Sequence, residues 1–311
     1  MLKVADGLAT PFVKWVGGKT KLIPQLSSVI DGINKSHLVL NYIEPFIGGG
    51  ALYFYLYSTG KIRHAVINDV NEDLILCYKT VRQFVRPLIH ELSRYEQEYL
   101  AADIESREVM FYKVREEYNQ QKEDFDYISP NIHNWVARAS KFIFLNKTCF
   151  NGLYRQNSKG CFNVPFGRYA TPRICDQTNL VACSVALQHA NILCGDFETT
   201  ESLIDNNSLV YLDPPYKPLN KTSSFTKYHK GDFNDLDQIR LAEYYRRIDK
   251  RGARIILSNS DPKSVDDDND FFDELYHDYE ISRVSVSRTI SAASSSRGKV
   301  QELIIKNVRL I

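Results

Sequence analysis

The sequence predicts an α/β protein: an open sheet into which a helical and β-hairpin module is inserted. Three observations carry that prediction. Short apolar, β-branched segments alternate with longer helix-like stretches at both ends of the chain. The middle of the chain abandons this alternation for charged, helical periodicity followed by hairpin character. Finally, a glycine-rich turn and a proline-rich turn each follow a strand-like segment, where open α/β sheets place their sites.

The strand-like segments are 38–43, 65–67, 191–193, 209–212, 254–257, 282–286 and 303–308. Among the later ones lies a helix over 236–248, with Asp235 and Gln238 arranged as a relative of the capping box. From about Glu72 to Arg115 the pattern is helical, and a further helix covers 133–145. The segment 149–169 reads as a hairpin turning at Ser158-Lys159-Gly160. The expected division is therefore a discontinuous α/β domain, 1–71 and 188–311, and an inserted module, 72–187.

Composition excludes whole classes. With 311 residues, 43% apolar, 12% aromatic, 15 Gly and 11 Pro, the chain is neither disordered, collagen-like nor coiled coil. No apolar run approaches the roughly 18 residues of a membrane span. The opening MLKVADGLAT lacks the apolar block of a signal peptide, so a cytoplasmic protein is expected. The six cysteines, at 77, 149, 161, 175, 183 and 194, show no metal-ligand spacing, and free thiols are expected. The histidines are equally scattered, and no metal site is expected.

The net charge is +1, from 39 basic and 38 acidic residues, which taken whole argues against a nucleic-acid partner. Counting by segment reverses that. Residues 127–175 hold no Asp or Glu but include Arg138, Lys141, Lys147, Arg155, Lys159, Arg168 and Arg173. Residues 261–280 hold nine acidic residues against one Lys. A basic module and an acidic region cancel in the sum, and phosphate attraction depends on the local patch. The acidic run 266–270 reads as a solvated loop.

Two glycine segments differ in what they fit. Val16-Gly17-Gly18-Lys19-Thr20 suggests a phosphate-binding loop, but that motif requires Gly at position 13, which is Val. Glu44-Pro45-Phe46-Ile47-Gly48-Gly49-Gly50 follows a strand and leads into a helix over 51–57, so backbone N–H groups can approach a ligand closely. A dinucleotide fingerprint would need Gly at 53, which is Tyr. Two readings compete for Asp69, about twenty residues on: acceptor for a ribose diol, or cap of the helix starting near Glu72. With the glycine turn beside it the ligand reading is preferred, and the ligand is an adenosine derivative without the pyrophosphate pattern.

The segment 209–216 decides the chemistry. An apolar strand ends in Asp213-Pro214-Pro215-Tyr216, and two prolines that cannot donate to a ladder fix a rigid turn. A carboxylate, a backbone carbonyl and an aromatic face then stand in fixed relation. That set suits a planar exocyclic amine whose lone pair is delocalised into its ring. By accepting both N–H hydrogen bonds, the Asp213 carboxylate and the Pro214 carbonyl localise that lone pair as charge develops, and Tyr216 stacks on the base.

These residues together resemble the DNA adenine N6-methyltransferases of the Dam family, most closely the Dpn-type methylases of double-stranded GATC. The resemblance runs nearly end to end. It is carried by Lys14-Trp15-Val16-Gly17-Gly18-Lys19, by 44–50, by Ile67-Asn68-Asp69-Val70-Asn71 and by the hairpin Phe150-Asn151-Gly152-Leu153-Tyr154-Arg155 through 162–169. Gly195-Asp196-Phe197, Asp213-Pro214-Pro215-Tyr216 and Ser296-Arg297-Gly298-Lys299 complete it.

The resemblance implies a Rossmann-like methyltransferase sheet with an inserted DNA-recognition domain, and S-adenosylmethionine as cofactor. Trp15, Phe46, Asp69 and Asp196 would hold its adenosine with the turn of Gly48 and Gly50, Lys19 its carboxylate, and Asp213 would border it. Asp213, Pro214, Pro215 and Tyr216 would be catalytic. Phe150 would wedge between base steps, Asn151 would lie beside the flipped site, and Leu153, Arg155 and Pro165 would read bases. Lys14 would reach an outer guanine, Arg168 and Tyr169 the backbone, and 225–228 would close over the extruded adenine. For Phe150 and Leu153, plain hydrophobic packing of the hairpin competes. Tyr154 and Gln156 depart from the family pattern beside the reading residues, which puts fine specificity in doubt.

The expected reaction is direct methyl transfer to the N6 of a flipped adenine in double-stranded DNA, without a metal or covalent intermediate. A cognate restriction endonuclease fits as a genetic partner without a stable complex. Two rivals share parts of the pattern: an amino-methyltransferase acting on RNA or protein glutamine, and a DNA-binding regulator that has lost catalysis. The hairpin with its basic surroundings speaks against the first; intact Lys19, Asp69, Asp213 and Tyr216 speak against the second.

Overall fold

The structure is a computed structural model, and the residues it describes are 8–34, 41–122, 125–217, 233–287 and 299–307. Seven strands form a sheet in the order β3-β2-β1-β4-β5-β7-β6. They are β1 (Asn41–Glu44), β2 (His64–Asp69), β3 (Ala190–Cys194), β4 (Ser208–Leu212), β5 (Arg254–Ser260), β6 (Glu280–Ser287) and β7 (Lys299–Lys306). The pairs β1–β2, β1–β4 and β4–β5 run parallel, while β7 is antiparallel to both β5 and β6. This is a mostly parallel α/β sheet of Rossmann-like type, and all seven strand-like segments are strands. The sequence order reverses on either side of β1, and such a switch point is where open sheets bind ligands.

The chain divides into two compact units. The first comprises 1–18, 48–61 and 69–195. It contains helices α2 (Ala51–Ser58), α3 (Glu72–Ala101), α4 (Ile104–Gln120), α5 (Ile132–Thr148) and α6 (Gln177–Leu187). The single helical stretch expected over 72–115 is two helices. Within α3 the backbone leaves helical geometry at Phe84, three residues before Pro87, whose ring displaces the carbonyl four residues back and removes one N–H donor. Asp103 then caps α4 by accepting from the Ser106 N–H.

The centre of this unit is α3 packed on α5. Asp73 and Arg138 are both buried and meet in a two-pronged ion pair, Nε to Oδ1 at 2.6 Å and Nη2 to Oδ2 at 3.1 Å. Tyr127 donates to the same Asp73 carboxylate, and the guanidinium lies over the Tyr118, Phe125 and Tyr127 rings.

The expected hairpin over 149–169 is looser than a ladder. Isolated antiparallel bridges join Cys149 to Phe166 and Gln156 to Phe162, and the stretch after Cys149 is a 3-10 turn. The turn lies at Ser158-Lys159-Gly160 as expected, closed by the Gly160 N–H donating to the Asn157 carbonyl. Helices supply the support that a ladder would have given. Asn119 of α4 accepts from the Phe162 N–H and donates to its carbonyl, and Lys122 donates to the Gly160 carbonyl.

The second unit comprises 19–47, 62–68 and 196–311. It holds α1 (Ile23–Asn34), α7 (Asp235–Lys250), the short α8 (Phe271–Leu275) and the strands β1, β4, β5, β6 and β7. Every residue of β4 is buried, as continuous apolar runs in parallel sheets require. Its core joins Ile43, Val210, Leu212, Ile255, Leu257 and Leu303 to Leu241, Tyr244 and Ile248 of α7. The cap of α7 lies one residue before the expected one. Asn234 accepts from the Leu236 and Asp237 N–H groups, and Asp237 accepts from the Asn234 N–H. Asparagine satisfies the cap with its side-chain oxygen as well as aspartate does, so the neighbouring Asp235 became the first helical residue.

Candidate active site

Strand β4 ends at Leu212 and delivers Asp213-Pro214-Pro215-Tyr216 beside the end of β1, since Ile43 and Val210 are register partners. Asp213, Pro215 and Tyr216 of that turn are held by neighbours within the second unit. Lys19, buried in a 3-10 turn, places its ammonium 2.8 Å from the Asp213 carboxylate and 4.0 Å from the centre of the Tyr216 ring. Ser258 of β5 donates to Asp213 at 3.1 Å, and Tyr211 and Ser258 share a hydroxyl contact. The Tyr216 hydroxyl donates to Glu302 of β7 at 2.9 Å. Gln238, buried in α7, donates to the Pro215 carbonyl and is itself oriented by Asn259.

The Pro214 carbonyl receives no hydrogen bond from the described residues. The Asp213 carboxylate and the Pro214 carbonyl are thus two acceptors side by side in the turn, while the Pro215 carbonyl and the Tyr216 hydroxyl are engaged. Burial pushes the Asp213 carboxyl up from its ordinary value, and the Lys19 charge with the two hydrogen bonds, from Lys19 and Ser258, pulls it back. Burial, followed by the Asp213 and Glu302 charges, drives the Tyr216 phenol far upward, so it is a neutral aromatic face and never a base at physiological pH.

Also in the second unit, Phe46 packs on Phe197 at 5.4 Å and on Phe233 at 5.8 Å between ring centres. Asp196 caps a 3-10 turn through the Glu198 N–H and pairs with Arg240 at 2.8 Å.

Within the first unit, Asp69 ties the glycine turn down: its carboxylate accepts from the Gly48 N–H at 3.0 Å and the Asn71 N–H at 2.9 Å. It does not cap the following helix. That role belongs to Asn71, which accepts from Leu74. Gly48 and Gly50 have φ of 46° and 71°, a left-handed region that side chains rarely enter. A Cβ on Gly48 would lie 2.7 Å from the Trp15 ring, and one on Gly50 would lie 2.6 Å from the Tyr78 hydroxyl. Only glycine lets Trp15 lie this close over the turn.

The eight residues expected to meet DNA all lie in the first unit. Phe150 is an exposed aromatic, 50% accessible, which packing alone would have buried. The two non-glycine residues with positive φ among those described are Asn151 and Arg168, both at 55°. Asparagine tolerates that region, whereas arginine rarely enters it, and such conformations gather at functional sites. Arg155 is exposed, its Nε donating to Asn163 across the hairpin. Pro165 is exposed, its carbonyl accepting from the Phe150 N–H, and Leu153 is half-buried. Lys14 extends over the Tyr169 ring at 4.5 Å, and Arg168 pairs with Glu108.

A cavity of ≈ 380 Å³ is lined by Lys14, Lys147, Tyr169, Ala170, Thr171, Pro172 and Arg173. Burial, and then the Lys14 charge, bring the Lys147 ammonium down to about 8, with Arg173 adding to the effect and Asp176 opposing it.

Sequence reasoning missed Ser258, Glu302, Gln238 and Lys147. Only the last carried a signal, its membership of the acid-free stretch 127–175. The segments 225–228 and 296–298 lie outside the described residues. Among the described residues no cluster of His, Cys, Asp or Glu is arranged to hold a metal ion, and no helix is long and apolar enough to cross a membrane. All six cysteines are unpaired.

Sheet order and a carboxylate–carbonyl–aromatic turn after β4 suit an α/β enzyme acting on an amino group. Comparison with known proteins sharpens that class. The family described as D12 class N6 adenine-specific DNA methyltransferase matches residues 15–290, and the chain belongs to it. It is similar to the Type II methyltransferase M.MjaIII of Methanocaldococcus jannaschii, 49% identical over 298 residues that cover 96% of this chain and 98% of that one. It is 36% identical to the Type II methyltransferase M1.LlaDCHI of Lactococcus lactis, over 96% of this chain and 95% of that one. With the DNA adenine methylase of Escherichia coli K12 it shares 32% identity, over 94% of this chain and 93% of that one. The protein is an adenine-specific DNA methyltransferase.

Proposed function

We propose that the enzyme transfers the methyl group of S-adenosylmethionine to the N6 of adenine in double-stranded GATC, after flipping that adenine out of the duplex. The observation that carries this reading is the Asp213-Pro214 acceptor pair, held beside a neutral Tyr216 face by Lys19, Ser258 and Glu302. In the first unit, the glycine turn under Trp15, stapled by Asp69, is the cradle for an adenosine ligand, and a Cβ at Gly48 would collide with the Trp15 ring that covers it. Lys19, Phe46, Asp196 and Asp213 are likewise assigned to S-adenosylmethionine. When bound, S-adenosylmethionine supplies an electrophilic methyl group.

The chain's own residues do the rest. Asp213 accepts one N6–H and the Pro214 carbonyl the other, so the amine lone pair turns toward the donor as positive charge develops. Tyr216 stacks on the base and Pro215 keeps the turn rigid. On the DNA side, Phe150 fills the gap left by the flipped base, with Asn151 beside it. Leu153, Arg155 and Pro165 read base edges, Arg155 by its guanidinium fork, and Lys14 reaches an outer guanine. Arg168 and Tyr169 contact phosphate, and the basic cavity at Lys147 and Arg173 is a seat for the DNA backbone. We assign residues 1–71 and 188–311 to the catalytic domain and 72–187 to target recognition, and the setting to a prokaryotic cytoplasm, with a cognate restriction endonuclease as a genetic partner.

Methyl transfer from labelled cofactor to plasmid DNA, followed by digestion with GATC endonucleases of differing methyl sensitivity, tests substrate, site and activity together. Protection against the methyl-sensitive enzyme alone is expected; label incorporated without protection would exclude GATC. Asp213→Ala abolishes label transfer while duplex binding persists, and full activity in that variant would remove the role given to Asp213.

A further inference from the structure

Position 154 lies between two residues assigned to base reading, yet its own side chain turns away from solvent. The Tyr154 ring is stacked on Trp15, with centres 5.6 Å apart and planes 21° from parallel. Phe142 of α5 and Phe162 of the returning hairpin arm pack on it at 5.2 and 5.9 Å, and Tyr118 and Asn71 lie close to its hydroxyl. Its hydroxyl accepts from the Gln156 side chain at 2.6 Å. Trp15 meanwhile covers Gly48 and Gly49. A continuous stack thus runs from the glycine turn, through Trp15 and Tyr154, into the hairpin, all within the first unit.

A second connection runs parallel to it. The buried Asn146 accepts from the Lys14 N–H at 2.7 Å and donates both to the Lys14 carbonyl and to the Gly152 carbonyl. Chain 14–15 is therefore bound to the hairpin at the backbone as well as through rings. On either side of the anchored Tyr154, Leu153 is half-buried and Arg155 is exposed.

We propose that Tyr154 is a positioning residue that couples the glycine turn to base reading: through its stack on Trp15, cofactor and target DNA strengthen each other's binding. This rests on the assignment of the glycine turn to S-adenosylmethionine. Coupling of this kind is reciprocal, so it is measurable from the cofactor side alone. Trp15 has its own seat over Gly48 and Gly49, and its stack on Tyr154 adds a path by which ordering of the hairpin on DNA is felt at that seat, and the reverse. Neither site needs to touch the other's ligand.

The test is calorimetric titration of S-adenosylhomocysteine into the full chain, alone and saturated with a duplex bearing the sequence that the plasmid assay identifies. The wild type binds the analogue about fivefold or more tightly with duplex present, within the usual range of coupling. In Tyr154→Ala that ratio falls to about one, while affinity in the absence of DNA stays within about twofold of the wild type. Tyr154→Phe keeps the ring stack without the hydroxyl and retains the ratio. Thermal melts by circular dichroism establish that both variants fold. A wild-type ratio in Tyr154→Ala overturns the inference, as does a ratio of one in the wild type or loss of coupling in Tyr154→Phe. Absence of analogue binding to the wild type without DNA would overturn the cofactor assignment itself, and this inference with it, a pattern distinct from the others.

Discussion

At the residue scale the proposed chemistry turns on one carboxylate with two opposed influences. Burial favours the neutral form of Asp213, and Lys19 at 2.8 Å favours the ionised form that can accept from an amine. Lys19→Met removes the opposing charge, so the Asp213 carboxyl rises further. Activity that needs ionised Asp213 then appears only at higher pH. The acid limb of the kcat/KM profile is expected to move toward alkaline pH in this variant, and an unshifted limb would show that Lys19 does not act through Asp213. Arg155 makes a different kind of contribution. Its guanidinium fork faces solvent from the hairpin and is free for base edges apart from the Nε hydrogen bond to Asn163. Arg155→Ala is expected to relax discrimination against singly mismatched sites by about tenfold, with analogue affinity unchanged in calorimetry.

At the element scale, helices α3 and α5 are joined by a buried ion pair that leaves neither charge room to hydrate. Asp73 follows Asn71, which caps α3, so the pair also fixes the start of the helix below the Asp69 staple. Breaking one side of such a pair strands the other charge. Arg138→Met is expected to lose about 3–5 kcal/mol of stability, read from urea unfolding. The double variant with Asp73→Asn should lose less than the two single losses added, because no unpaired charge then remains. The elements themselves were legible where a residue's own chemistry marks them. Pro87 accounts for the kink in α3, and Asn234 with Asp237 forms the α7 cap that the sequence placed one residue late. The hairpin was legible in outline only, because its support comes from α4 side chains such as Asn119, about forty residues away.

At the scale of the whole molecule, a net charge of +1 conceals segregation: the acid-free stretch 127–175 against nine acidic residues in 261–280. The exposed run 266–268 lies in the latter. In the basic cavity, Lys147 is brought down to about 8. A phosphate oxygen favours the charged lysine, so duplex binding takes up a proton and weakens as pH rises through 8. Duplex affinity is expected to fall between about pH 7 and pH 9. Lys147→Gln should flatten that dependence and also reduce the salt slope by about one unit. An identical pH dependence in the variant would place the titrating group elsewhere.

The sequence by itself determined the chemistry on offer. Asp213-Pro214-Pro215-Tyr216 and the turn of Gly48 and Gly50 are written in residues whose backbone restrictions act locally: proline lacks an N–H and fixes φ, and glycine alone accepts the left-handed turn at no cost. Only the tertiary structure decided who surrounds them. Lys19, Ser258 and Glu302 reach the Asp213–Tyr216 turn from as many as 194 positions away along the chain (213 − 19), and Tyr154 reaches Trp15 from the hairpin. Such partnerships leave no local trace. They follow from the order in which strands pair and helices pack, and an isolated serine or glutamate reads the same wherever it finally stands.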